Sequence, residues 1–142
     1  MDTIAAIKLT PSGARKVLDA ALAAAAPTGR PVSVAVCDEG GHLMAFQRSD
    51  DAELYTIPIA INKARGAALT RFPTGRLSPA GNIRDDHHSL AITLAAGPEN
   101  FVSMEGGVPI KVNGKVIGGV SVSGAGKKDQ ELAQQAADIL SK

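Results

Sequence analysis

The stretch MEGGVPIKVNGKVIGGVSVSGAG, Met104 to Gly126, decides the fold. Val108, Ile110 and Val112 occupy alternate positions, and Val116, Gly118, Val120 and Val122 do so again beyond Asn113-Gly114. An Asn-Gly pair between two alternating runs marks a tight hairpin, because both turn residues must accept positive φ. The segment is read as a β-hairpin, entered through Glu105-Gly106-Gly107 and left through Ser123-Gly124-Ala125-Gly126. Gly118 and Gly119 fall inside the second strand, where glycine weakens pairing and marks a bulge or the close approach of another group.

Working outward, a second hairpin is expected from Val32 to Cys37 and His42 to Arg48, joined by Asp38-Glu39-Gly40-Gly41. Val32, Val34 and Val36 share one face. Ser33, Ala35 and Cys37 share the other, whose small side chains leave room for a helix. Upstream, Thr10-Pro11 reads as the N-cap and first position of a helix. Val17, Leu18, Ala21, Leu22 and Ala25 then recur at helical spacing until Pro27-Thr28-Gly29. Pro58 is tolerated only in a first turn, so the next helix begins near Thr56 or Ile57. Ile57, Ile61, Ala64 and Ala68 lie on its apolar face, with Lys63 and Arg65 off that line as solvated charges or, alternatively, contacts for an anion or cofactor.

From Phe72 to His88 periodicity vanishes among Pro73, Gly75, Pro79 and Gly81, and a loop this long points to a functional reason. Ser89 to Ala96 fits a strand by the alternation of Leu90, Ile92 and Leu94, or a helical turn by its length. Phe101 to Met104 is expected to enter the sheet. A last helix runs from about Lys128, with Leu132, Ala136, Ile139 and Leu140 buried and Asp129 and Glu131 complementing its N-terminal dipole. The order α-β-β-α-loop-β-β-β-α describes one α/β domain of the α+β type over residues 1–142, with a mainly antiparallel sheet and helices packed on it. It is not a doubly wound nucleotide fold.

Composition narrows the partners. Fifteen basic against 14 acidic residues leave no basic stripe for nucleic acid, and 3% aromatic residues offer little for base stacking. No apolar run reaches the roughly 18 residues of a membrane span. The start MDTIAAIKLT lacks a secretory pattern, and the single Cys37 has no internal disulfide partner, so a cytoplasmic protein is expected.

The densest polar cluster is Asp85-Asp86-His87-His88. Its imidazoles and carboxylates could ligate a metal or exchange protons, or the acidic pair could cap a short helix and leave both histidines exposed. No metal site is expected, since the i, i+4 His pair of a zinc helix is missing. Glu105 stands alone before two glycines. If backbone and ligand close over it, desolvation suits it to proton transfer; otherwise it pins the turn. Gly106 and Gly107 could present N–H groups to an anion as a nest. His42 and Cys37 read as structural. There is no G-x-S-x-G, no Walker A sequence and no C-x-x-C.

Together these residues carry a resemblance. EGGVPIKVNGKVIGGVSVSGAGKKDQELAQQAADIL resembles the C-terminal signature of the GlcG/HbpS family, PVSVAVCDEGGHLMAFQRSDD its glycine-turn hairpin, and IAINKARGAAL its central helix. The chain departs from that pattern at Glu39, Gly66, Ser121 and the Asp85–His88 segment. The resemblance implies a profilin-like fold with about five antiparallel strands and a homo-oligomer. It also implies haem or tetrapyrrole binding by a carrier or sensor, as in HbpS and the PduO C-terminal domain. For such a ligand the expected cofactor-binding residues are His87, His88, Gly106, Gly107 and Lys63, none carried over from the family by position, the histidines being chosen only because imidazole is a common haem ligand. The alternative is a cofactor-independent enzyme working by acid–base catalysis on a small organic molecule through Glu105 and either His87 or His88; a purely structural oligomer partner is the third. All these readings expect the glycine corner to meet the Asp85–His88 segment and wall a cleft.

Overall fold

The computed structural model describes residues 1–141. Two hairpins form one sheet: β1 (Ser33–Asp38) with β2 (Leu43–Arg48), and β3 (Gly107–Val112) with β4 (Lys115–Ser123). The spatial order is β2-β1-β4-β3, and every neighbouring pair is antiparallel. Asn113 and Gly114 take φ of 52° and 74°, the paired positive values the hairpin turn requires. β1 and β4 sit at the centre in the register Val34↔Val122 and Val36↔Val120.

Helices cover both faces. Helix α1 (Pro11–Ala25) is capped by the Thr10 hydroxyl, which accepts the Gly13 N–H at 3.0 Å. With the C-terminal helix, here α4 (Asp129–Asp138), it packs Val17, Leu18, Leu132 and Ala136 over Val34, Val36, Val108, Ile110, Val120 and Val122. Helix α2 (Thr56–Thr70) lies on the opposite face, with Ala60, Ala64 and Ala68 against Ala35 and Cys37. Small residues meet small residues there, so the helix approaches to backbone distance. A Cβ on Gly119 would collide with the Ala64 carbonyl, and one on Gly107 with the Lys63 carbonyl. Ser121, on the same face, donates its hydroxyl to the Ala60 carbonyl.

Three expectations need correction, and one open choice is resolved. Among the described residues the sheet has four strands, not five. Phe101 to Met104 runs outside it, because the Val102 carbonyl accepts from Gly75 N–H at 3.3 Å, not from a strand. Thr74 occupies the place where a fifth strand would pair: its N–H donates to Gly107 O at 2.8 Å and its Oγ1 accepts Gly107 N–H at 2.9 Å. Second, of the two readings open for Ser89 to Ala96 the helical one holds: the segment is most of helix α3 (Asp86–Ala96), nucleated by Asp85 Oδ1 accepting His88 N–H at 2.7 Å. Third, Lys63 and Arg65 are not solvated charges. Lys63 is buried, and Arg65 Nε donates to Asn100 Oδ1 at 2.7 Å while its Nη1 donates to the Gly41 carbonyl. Fourth, Ile139 is exposed rather than part of the buried stripe, because α4 ends at Asp138.

Candidate functional site

The close seating of α2 brings Lys63 to the glycine corner. Its Nζ donates to the Val122 carbonyl and to Asp129 Oδ2, each at 3.3 Å. Asp129, at the start of α4, is itself held by the Ala125 N–H on Oδ1 at 2.8 Å. Three elements therefore converge on one ion pair whose side chains are 4% and 7% exposed. Burial pulls the Lys63 ammonium below its usual pKa, and attraction and hydrogen bonding from Asp129 offset that only in part. Gly106 leaves the space: a Cβ there would stand 2.7 Å from Lys63 Nζ.

Beside this pair runs a two-part groove. A polar compartment of about 370 Å³ is lined by Arg30, Tyr55, Thr56, Lys63, Ser123 and Asp129, among others. An apolar compartment of about 220 Å³ is lined by Asn62, Thr93, Phe101 and Val102. Ile59 and Met104 line both, so the two adjoin there. The polar part alone lies within the ~300–1,000 Å³ of small-molecule sites. Met104 at the junction keeps 51% of its surface exposed.

The structure distributes the remaining expected residues as follows. Glu105 is exposed and packs beside Gly75, so the enclosure that would desolvate it is not formed. Gly107 donates its N–H to Thr74, so the two glycines do not form a two-donor anion nest; Gly106 accepts Val122 N–H through its carbonyl at 2.9 Å. His87 and His88 are exposed on the first turn of α3. The loop does meet the glycine corner, but through Thr74 and Gly75 rather than through the histidines, and none of Glu105, His87 and His88 lines the two-part groove. Asp85 caps α3, and the Arg76 guanidinium donates to Asp86 at 2.6 Å.

Asp129, Arg30, Thr56 and Met104 were not legible as site residues. For Lys63 a signal existed: it lies three residues after Ala60 and four before Ala67, on the face of α2 that is buried. The other pairs are structural. His42 donates its N–H to Asp38 at 2.9 Å in the β1–β2 turn. Burial pulls the Asp38 carboxyl up, but the N–H groups of His42 and Gly40 and the His42 imidazole outweigh it and hold it below the usual range. Burial pushes the Cys37 thiol up to about 12, so it stays a protonated core side chain.

A single antiparallel sheet clasped between α1 and α4 on one face and α2 on the other, with a groove at the α2 edge, defines the class: a small α+β domain. Within that class the chain belongs to the HbpS-like family, described as "Haem degrading protein HbpS-like", whose profile matches residues 9–138. An uncharacterized 15.0 kDa protein of the dhaT-dhaS intergenic region of Citrobacter freundii is 35% identical over 134 residues, covering 94% of this chain and 92% of that one. Protein GlcG of Escherichia coli is 42% identical over 93 residues, and the match spans 65% of this chain and 63% of GlcG. The crystal structure of HbpS superposes with a TM-score of 0.81 at 31% identity, over 98% of this chain and 94% of HbpS. A PduOC:heme complex shares the fold, at TM-score 0.77 and 24% identity over 92% of this chain and 94% of that one.

Proposed function

We propose that this chain is a small cytoplasmic haem- or tetrapyrrole-binding protein, a carrier or sensor, that takes its ligand in the groove beside α2. The observation that carries the reading is that an apolar and a polar compartment adjoin at Ile59 and Met104, which line both. A tetrapyrrole is a flat apolar ring with carboxylates along one edge. The groove offers an apolar wall at Phe101 and Val102 and cationic groups, Arg30 and Lys63, at the other end. Membership in a family described by haem degradation supports it, as does the haem complex of PduOC. The antiparallel sheet with helices on both faces is compatible with the profilin-like topology that the resemblance implied.

The groove is open to solvent, so a single chain covers one face of such a ring. Self-association would cover the other. Leu90 and Leu94 are 59% and 73% exposed on α3, a helix with Ser89 as its one buried residue. A helix so poorly anchored to its own chain supports a homo-oligomer with α3 at the contact. His87 and His88, on the exposed first turn of that helix, are the proposed axial ligands, reaching the groove of an adjoining copy. Gly106 and Gly107 serve by admitting Lys63 and α2. No observation favours the alternative of acid–base catalysis by Glu105 with His87 or His88.

Haemin titration tests this reading. Binding should shift the Soret band, and His87→Ala with His88→Ala should weaken the shifted band. An unaltered spectrum on titration removes the haem reading. A full-strength band in the double variant removes the histidines and keeps the groove, which Met104→Glu then probes.

A further inference from the structure

Lys63 has bonding capacity that its own chain does not use. An ammonium carries three protons, and among the described residues two have acceptors, both at 3.3 Å, beyond the usual N–H···O range. The side chain is 4% exposed, yet it lines the polar compartment together with Thr56, Ser123 and Asp129. Asp129 is held on Oδ1 by Ala125, which leaves Oδ2 turned to the amine as a fixed proton acceptor.

We propose that Lys63 is a carbonyl-capturing amine: it forms an imine with a small oxo acid admitted to the polar compartment, and Asp129 carries the proton. The ammonium first passes one proton to Asp129 Oδ2. The neutral nitrogen adds to the carbonyl carbon, forming the N–C bond while the C=O π pair moves to oxygen. A nitrogen proton transfers to that oxygen and gives the carbinolamine. Asp129 then returns its proton to the hydroxyl, which leaves as water as the nitrogen lone pair forms the C=N bond. The products are a protonated imine and an ionised Asp129, so the charge pair is the same before and after. Desolvation of the amine favours the neutral nucleophile this requires.

The ligand class comes from the rest of the compartment. Arg30 lines it and makes no ion pair with any other described residue, so its guanidinium is available to a carboxylate. The inference uses the residues to which the tetrapyrrole's carboxylate edge is assigned above, and its readout does not involve haemin.

The full chain is incubated with pyruvate and cyanoborohydride near neutral pH, which reduces any imine to a stable secondary amine, and the adducts are located by peptide mapping. Lys63 should carry the adduct at roughly tenfold or more the level of any exposed lysine, because a fully solvated ammonium is a poor nucleophile near neutral pH. Lys63→Arg keeps the charge and should abolish the preferred adduct. Arg30→Gln should lower labelling by pyruvate several-fold and leave labelling by propanal unchanged. A wild-type map with adducts confined to exposed lysines, such as Lys8 and Lys115, overturns the proposal without recourse to any variant. Equal labelling by pyruvate in Arg30→Gln overturns the oxo-acid class. A failed haemin titration bears on neither result.

Discussion

Separating the two charges of the Lys63–Asp129 pair is the most informative perturbation of this fold. At 3.3 Å the pair attracts by about 5 kcal/mol at an effective dielectric near 20. Desolvating each ion opposes this by several kcal/mol, so the intact pair is close to neutral for stability. Breaking it is a different matter, because the surviving ion keeps its desolvation and loses its attraction. Lys63→Met should therefore cost about 3–5 kcal/mol, and Asp129→Asn, which retains an oxygen for the Ala125 N–H, about 3 kcal/mol. In a domain of this size either change lowers the midpoint of thermal unfolding by on the order of 10 °C. The double variant leaves no buried charge, so it should be less destabilised than the two single losses combined, with a coupling of about 2–3 kcal/mol. Urea unfolding of the four proteins, followed by circular dichroism, gives the cycle directly. Single variants within about 0.5 kcal/mol of wild type, with no coupling between them, would refute the reasoning, since an exposed, screened pair behaves that way.

Other expectations follow from the same geometry. Gly119→Val places side-chain atoms where the Ala64 carbonyl stands and should cost at least about 1–3 kcal/mol by overpacking, read as a lower urea midpoint at unchanged slope; an unshifted midpoint would show that α2 is not seated on that glycine. Leu90→Lys with Leu94→Lys should reduce the molar mass seen by light scattering without loss of helix; identical masses for variant and wild type would exclude α3 as the contact. Asp38 is held below its ordinary pKa in the folded chain, so the stability it contributes is fully present above about pH 4 and is lost as pH falls through the folded value. Asp38→Asn should accordingly flatten the acid limb of stability against pH, and an unchanged limb would remove the β1–β2 turn as its source.

Both hairpins were legible because their signals are local: alternation of period two, and an Asn-Gly pair that only positive φ explains. The helices α1 and α2 were legible for the same reason, with Thr10-Pro11 and Pro58 marking their starts. The segment from Phe72 to Met104 was not. Its short helix follows from an N-cap at Asp85, yet the alternation of Leu90, Ile92 and Leu94 mimics a strand, and competing local preferences of that kind are resolved only by where the segment packs. The fifth strand failed for a similar reason: Phe101 to Met104 has no partner edge, because Thr74 reaches Gly107 first.

The acid-and-imidazole cluster drew attention because it is dense in sequence, whereas the groove's polar compartment is built from residues as far apart as Arg30, Lys63 and Asp129. What the chain's order of residues determined alone was the set of strands and helices and which face of each is apolar, since these depend on spacing within a few residues. Only the folded arrangement decided that Lys63 loses water and that Asp129, 66 positions away, becomes its counterion. Burial and charge pairing are properties of neighbours in space, and backbone contact between α2 and two glycines creates those neighbours.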